Sequence, residues 1–235
     1  MQRLRVRYAK RGRLRFTSHR DFSRALERAV ARARVPVAYS SGFNRHPRIS
    51  YAGAAPTGSA SEAEYLELAL AEEMDPAEIG RMLDEALPDG LDVLDVVVAG
   101  PGSLPERLEA SRWQITVPGV STPAAEEAVR RFLDSSSVLV QRMTKKGLRE
   151  FDCRAAVVSL RTCPGQYSHQ PCAILELVLR HGTPSVRPDD VLAGLREVAG
   201  LEADAAVLHE RLAQGPIAPE DGTLGDPLAP DRDAV

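Results

Sequence analysis

Arg3-Leu4-Arg5-Val6-Arg7-Tyr8 alternates charged and apolar residues without a break, the period of a β-strand that carries its arginines on one face. After a turn at Arg11-Gly12, Arg13-Leu14-Arg15-Phe16 alternates in the same sense. The period then changes. Ser18 with Asp21 three positions on is a capping-box pattern, and Phe22, Leu26, Val30 and Ala33 form the apolar stripe of a helix running to about Ala33. Arg20, Arg24, Arg28 and Arg32 recur every fourth residue on the opposite face. Residues 62–70 predict a strand, 76–87 a short amphipathic helix with proline at its start, and 91–98 a further strand.

With residues 49–51 counted as a strand, the order is β-α-β-β-α-β, the ferredoxin-like arrangement. Residues 100–111 (GPGSLPERLEAS) read as a linker. The second half repeats the order more faintly: strand 112–117, helix 123–133, strands 138–143, 155–162 and 173–180, helix 188–199 and strand 205–209. The predicted fold is α+β, a tandem pair of ferredoxin-like domains with antiparallel sheets at residues 1–99 and 112–213. Residues 214–235, rich in Pro, Gly and Asp and without apolar period, read as a disordered acidic tail.

Charge changes this picture more than composition does. The formal net charge of −3 averages a steep gradient. Residues 1–50 hold 14 arginines and lysines against Asp21 and Glu27, whereas residues 51–100 hold 12 acids against Arg81. Such asymmetry points to a polyanionic partner, RNA before others, with no DNA preference to assign; the plainer alternative is that basic and acidic stretches of one domain pair with each other. No apolar run approaches the roughly 18 residues of a membrane span, so no membrane partner is expected. The N-terminus lacks the apolar stretch of a secretory signal. Cys153, Cys163 and Cys172 lie ten and nine residues apart, unlike a disulfide framework or a metal motif. The expected setting is a reducing cytoplasm, without bound metal or cofactor.

Candidate chemistry concentrates in YSSGFNRHPRISYAGAAPTG, residues 39–58. Ser41, Gly42, Phe43, Asn44, Arg45, His46, Pro47 and Arg48 offer backbone N–H groups, guanidinium forks and an aromatic face to a phosphate or a splayed base. A purely structural connection is the alternative, with Phe43 as its hydrophobic plug. Arg3, Arg5 and Arg7 are expected on the open face of the sheet as a phosphate-binding field beside Tyr65 and Glu67, unless the cross-strand acids Glu67 and Glu64 pair with them or the second domain buries that face. Ser18, His19, Arg20, Asp21, Arg24 and Arg28 add the helix face, and Lys145 and Lys146 a second basic loop. His19 and His46 are the candidates for acid–base cleavage of RNA, but no spacing brings them together. Without a nucleotide, protease or hydrolase motif the chain reads as a binding module rather than an enzyme.

The stretch from LRVRYAKRGRLRFTSHRDFSRALERAV through SSGFNRHPRISYAGAAPTG to EYLEL resembles the opening of the radical SAM-linked domain family, and REFDCRAAVVSL with SVRPDDVLAGL resembles its C-terminal half. The resemblance spans about residues 1–211, and the SGFNRHPRIS segment is its most specific part. It implies an accessory role beside a B12-binding radical SAM protein, in RNA modification or processing. It also implies a functional surface at Ser18, His19, Asp21, Ser41, Gly42, Phe43, His46, Pro47, Arg48, Pro56 and Gly58. The cysteines do not have the radical SAM cluster spacing, so any such chemistry is assigned to the partner. The alternatives are a metal-independent endoribonuclease using His19 or His46, and a protein-only adaptor docking an acidic partner. In architecture the chain also resembles the tandem ferredoxin-like endoribonucleases that process CRISPR transcripts, but it lacks the C-terminal glycine-rich loop of many of them.

Overall fold

The computed structural model describes residues 1–144, 147–167 and 170–233. The fold is mixed α and β with antiparallel strand pairing, in two compact units: Met1–Leu108 together with the segment from Gly225 onward, and Glu109–Leu224.

The first unit runs β1 (Gln2–Lys10), α1 (His19–Arg32), β2 (Ile49–Ala52), β3 (Ala60–Leu70), α2 (Pro76–Ala86), β4 (Val93–Val98) and the one-turn α3 (Leu104–Arg107). Its sheet order is β4-β1-β3-β2, every pair antiparallel. The alternation of β1 sends Leu4, Val6 and Tyr8 into a core with Leu66, Leu68 and Leu70 of β3. Phe22, Leu26 and Val30 of α1 and Ile79 and Leu83 of α2 close over that face. Tyr8 and Phe22 stack with ring centroids 4.4 Å apart.

Four expectations are corrected in this unit. Residues 13–16 form no strand: Gly12–Phe16 is a 3-10 helix, entered through Gly12 at φ 53°. Four alternating residues are too few to outweigh the turns closed by Leu14 N–H to Arg11 O and Thr17 N–H to Leu14 O. Arg5 is not part of an open arginine field, because its side chain is wholly buried and paired with acids. Residues 100–111 are not a free linker, since Leu104 and Leu108 are buried with Ala52, Tyr65 and Val97. The chain from Gly225 is not a disordered tail. Leu228 completes that same cluster, and a short helix, Ala229–Arg232, carries Asp231 into the unit. One leucine and one aspartate give no period, but burial and ion pairing supply what composition did not announce.

The second unit runs β5 (Ala110–Val117), α4 (Thr122–Asp134), β6 (Leu139–Thr144), β7 (Gly147–Asp152), β8 (Val157–Tyr167), β9 (Gln170–Arg180), α5 (Pro188–Ala199) and β10 (Leu208–Gly215). Its sheet order is β10-β5-β9-β8, again antiparallel throughout. The expected strand at 138–143 is real but pairs only with β7, in a separate two-stranded hairpin. The last strand lies later than the expected 205–209, and residues beyond Gly215 fold back through the bridge of Ile217 with Leu224. Gly194 lets α5 approach closely: a Cβ there would meet Cys153 Sγ and Phe132 Cε2, each at 2.9 Å.

Candidate functional site

Ser18 caps α1 as its sequence required. Its Oγ accepts from the Asp21 N–H at 3.2 Å and donates to Asp21 Oδ2 at 2.7 Å, so Asp21 serves the helix start. His19, the first helical residue, sets its ring edge-on to Tyr51 of β2, centroids 4.8 Å apart. Ser23, one turn on, places Oγ 3.3 Å from His19 Nδ1 and donates to His19 O at 3.0 Å. Burial pushes the Tyr51 phenol up; a hydrogen bond with Ser23 opposes this and the Glu27 charge adds to it. Ser23 was legible as the neighbour four residues along the helix, but Tyr51 joins through tertiary structure alone.

Arg20, Arg24, Arg28 and Arg32 stand exposed along α1. Among the described residues, no hydrogen bond or ion pair engages their side chains, or those of Arg13, Arg34 and Arg45. Several of the acids that follow in sequence are committed elsewhere. Arg11 is bonded to Glu62 and Asp92, and Arg5 to Glu67 and Asp231. Arg7 donates to the Glu62 carbonyl at 2.8 Å. The plain alternative of mutual neutralisation therefore accounts for Arg5 and Arg11, and leaves the α1 row unpaired.

The loop before β2 is pinned at its base. Tyr39 bridges Pro47, the Ser40 N–H donates to His46 O at 2.9 Å, and the His46 N–H donates to Ser40 Oγ at 3.1 Å. Arg48 N–H donates to Ala38 O at 2.8 Å. Beyond this closure Ser41, Gly42, Phe43, Asn44 and Arg45 are exposed, with Gly42 at φ 120° making the turn that a side chain would strain. Phe43 is not a plug: its relative exposure is 108%. His46 is also exposed, Pro47 half-buried, and Arg48 exposed with Nη1 3.4 Å from Met1 Sδ. Arg48 lines an open groove of about 320 Å³ with Arg3, Ser50 and Glu67.

Pro56 and Gly58 hold this end of the unit together. Lys10 Nζ donates to Pro56 O at 3.4 Å, and Gly58 N–H to Arg15 O at 2.8 Å. The structure thus joins His19 to Tyr51 and Ser23, and joins Ser40 to His46; among the described residues no contact links the two histidines. Lys145 and Lys146 lie outside the described residues, between Thr144 and Gly147 of the hairpin. Among the described residues no three His, Cys, Asp or Glu side chains gather as metal ligands do. None of the described helices is long and apolar enough to cross a membrane.

No curated protein matches the chain. The model of a family described as uncharacterized protein conserved in bacteria (DUF2344) matches residues 3–188, and the chain belongs to that family.

Proposed function

We propose that the chain is a non-catalytic RNA-binding accessory protein whose first unit holds RNA phosphates on the arginine face of α1 and the loop before β2. The observation that supports this reading is the row Arg20, Arg24, Arg28 and Arg32, exposed and unpaired while neighbouring arginines are committed to acids. Four residues of helix rise about 6 Å, a step comparable with that between phosphates along one strand. Guanidinium groups held so release counterions when phosphate replaces them. Arg45 and Arg48 extend the same charge to the loop.

The strand orders β4-β1-β3-β2 and β10-β5-β9-β8, each threaded through two helices, support a tandem ferredoxin-like reading with a hairpin inserted in the second copy. A cytoplasmic setting and a B12-binding radical SAM partner rest on the sequence reading and its resemblance alone.

Salt-titrated binding of a short fluorescent RNA tests the reading. Affinity should fall steeply with salt and vary little with sequence, and the RNA should remain intact. Absence of binding at low salt overturns the proposal in favour of a protein adaptor. Cleavage that survives chelators and disappears with His19→Ala or His46→Ala overturns it in favour of a nuclease.

A further inference from the structure

We infer that the RNA taken by this unit is single-stranded, with unstacked bases received on Phe43 and Phe16; the inference rests on the arginine reading above and names its substrate class. The observation is where the chain leaves its aromatic rings. Phe22, Phe132 and Phe151 are buried, as are Tyr8, Tyr65 and Trp113. Among the described residues the exposed aromatic side chains are Phe16, Tyr39 and Phe43, and all three fall within the basic first fifty residues. A phenylalanine left in water forgoes the burial that stabilises a core. Here the sacrifice is confined to the stretch that also holds the unpaired arginines.

The two rings are presented differently and to the same effect. Phe43 stands at full exposure on a loop closed beneath it by the Ser40 and His46 bonds, so its ring is displayed from a fixed base. Phe16, 60% exposed, leads into α1 and carries the Arg15 guanidinium 4.8 Å from its ring centroid. Rings interleaved with cations are what a single strand needs. Phosphates pair with the guanidinium groups while each base offers a flat face to stack, whatever its identity. A duplex keeps those faces stacked inside, so it gains from the arginines and nothing from the rings. A docking surface for a protein would draw on the same exposed rings, and that possibility is an outcome of the test.

The experiment compares a fluorescein-labelled oligouridylate with an RNA duplex of equal length, using the full chain. Phe43→Ala should weaken single-strand binding about tenfold and leave duplex binding unchanged. Phe43→Trp should retain the affinity, and its indole fluorescence should quench on adding the oligouridylate, against the background of the buried Trp113. Phe16→Ala should act in the same direction. If both alanine variants bind single strands as wild type does, while Arg20→Gln with Arg24→Gln weakens them, base stacking is overturned and the arginine reading stands. Equal losses on single strand and duplex overturn the single-strand assignment. If wild type binds neither RNA at low salt, both fail together, and the exposed rings are left as a protein docking surface. Because Phe43 is fully exposed, an unchanged melting temperature in Phe43→Ala shows that its effect is not one of folding.

Discussion

Arg5 Nη1 lies 2.7 Å from Asp231 Oδ1, a partner 226 positions further along the chain, and neither side chain reaches solvent. Arg107 holds the other carboxylate oxygen at 2.8 Å, and the Gly100 N–H donates to Oδ1 at 2.9 Å. Burial by itself would raise the Asp231 carboxyl, but these donors outweigh it and hold it below the usual carboxylate range. Removing one side of a buried pair leaves the other charge uncompensated, so Asp231→Ala should destabilise the first unit by about 3–5 kcal/mol in urea unfolding.

The same carboxylate gives a pH signature. Its folded-state value lies below the unfolded one, so its contribution is complete above about pH 4 and is lost as pH falls through the folded value. Wild type should therefore lose stability in that acidic window, and Asp231→Asn should flatten that part of the profile. Thermal melts from pH 7 downward measure both curves.

Ending the chain at Leu224 removes Leu228 and Asp231 together, exposing Leu104 and Leu108 and stranding Arg5. The truncated protein should melt several degrees lower or unfold at ordinary temperature, with the loss seen in the first unit's amides by hydrogen exchange. A melt within a degree of the full chain would remove the structural role given to this segment.

Changing Arg45 and Arg48 together to Gln should weaken RNA binding across many sequences. It should also flatten the log–log salt slope by about one to two units, at roughly 0.7 per phosphate contact on a single strand. An unchanged slope would take these arginines out of the interface.

Thiol labelling should be ordered by burial. Cys153 is buried and its thiol is pushed up to about 12, first by burial and then by the charges of Asp152 and Asp190. Cys172 is also buried, while Cys163 is partly exposed. Cys163 should react first at neutral pH, and Cys153 only on unfolding of the second unit. Mass spectrometry of timed alkylation resolves the order.

Local pattern carried much of this architecture, and apart from the local 3-10 turn at Gly12–Phe16 its main failures share one cause. The β1 alternation, the Ser18–Asp21 cap and the α1 stripe depend on neighbours within a few residues, and each stands where the sequence placed it. The helix expected at 188–199 agrees to the residue. What escaped depends on distant partners. Arg3, Arg5 and Arg7 look alike in sequence, yet Arg3 is exposed and Arg5 is buried on an aspartate from the far end of the chain. Leu228 has no apolar period around it, so its burial follows from the cluster that receives it. At the candidate site, the loop and the arginine row were legible as composition. The exposure of Phe43 and the pairing of His19 with Tyr51 needed the fold.

The discontinuity of the first unit constrains the order in which this protein is made. A ribosome delivers residues 1–108 early, but Asp231 and Leu228 emerge only after the whole of Glu109–Leu224. During that interval Arg5 has half its acidic partners and the Leu104 cluster stays open, while the second unit, contiguous in sequence, has already been delivered whole. The unit that bears the arginine face is thus sealed last, and a nascent chain stalled inside the second unit is left with the first unit unsealed.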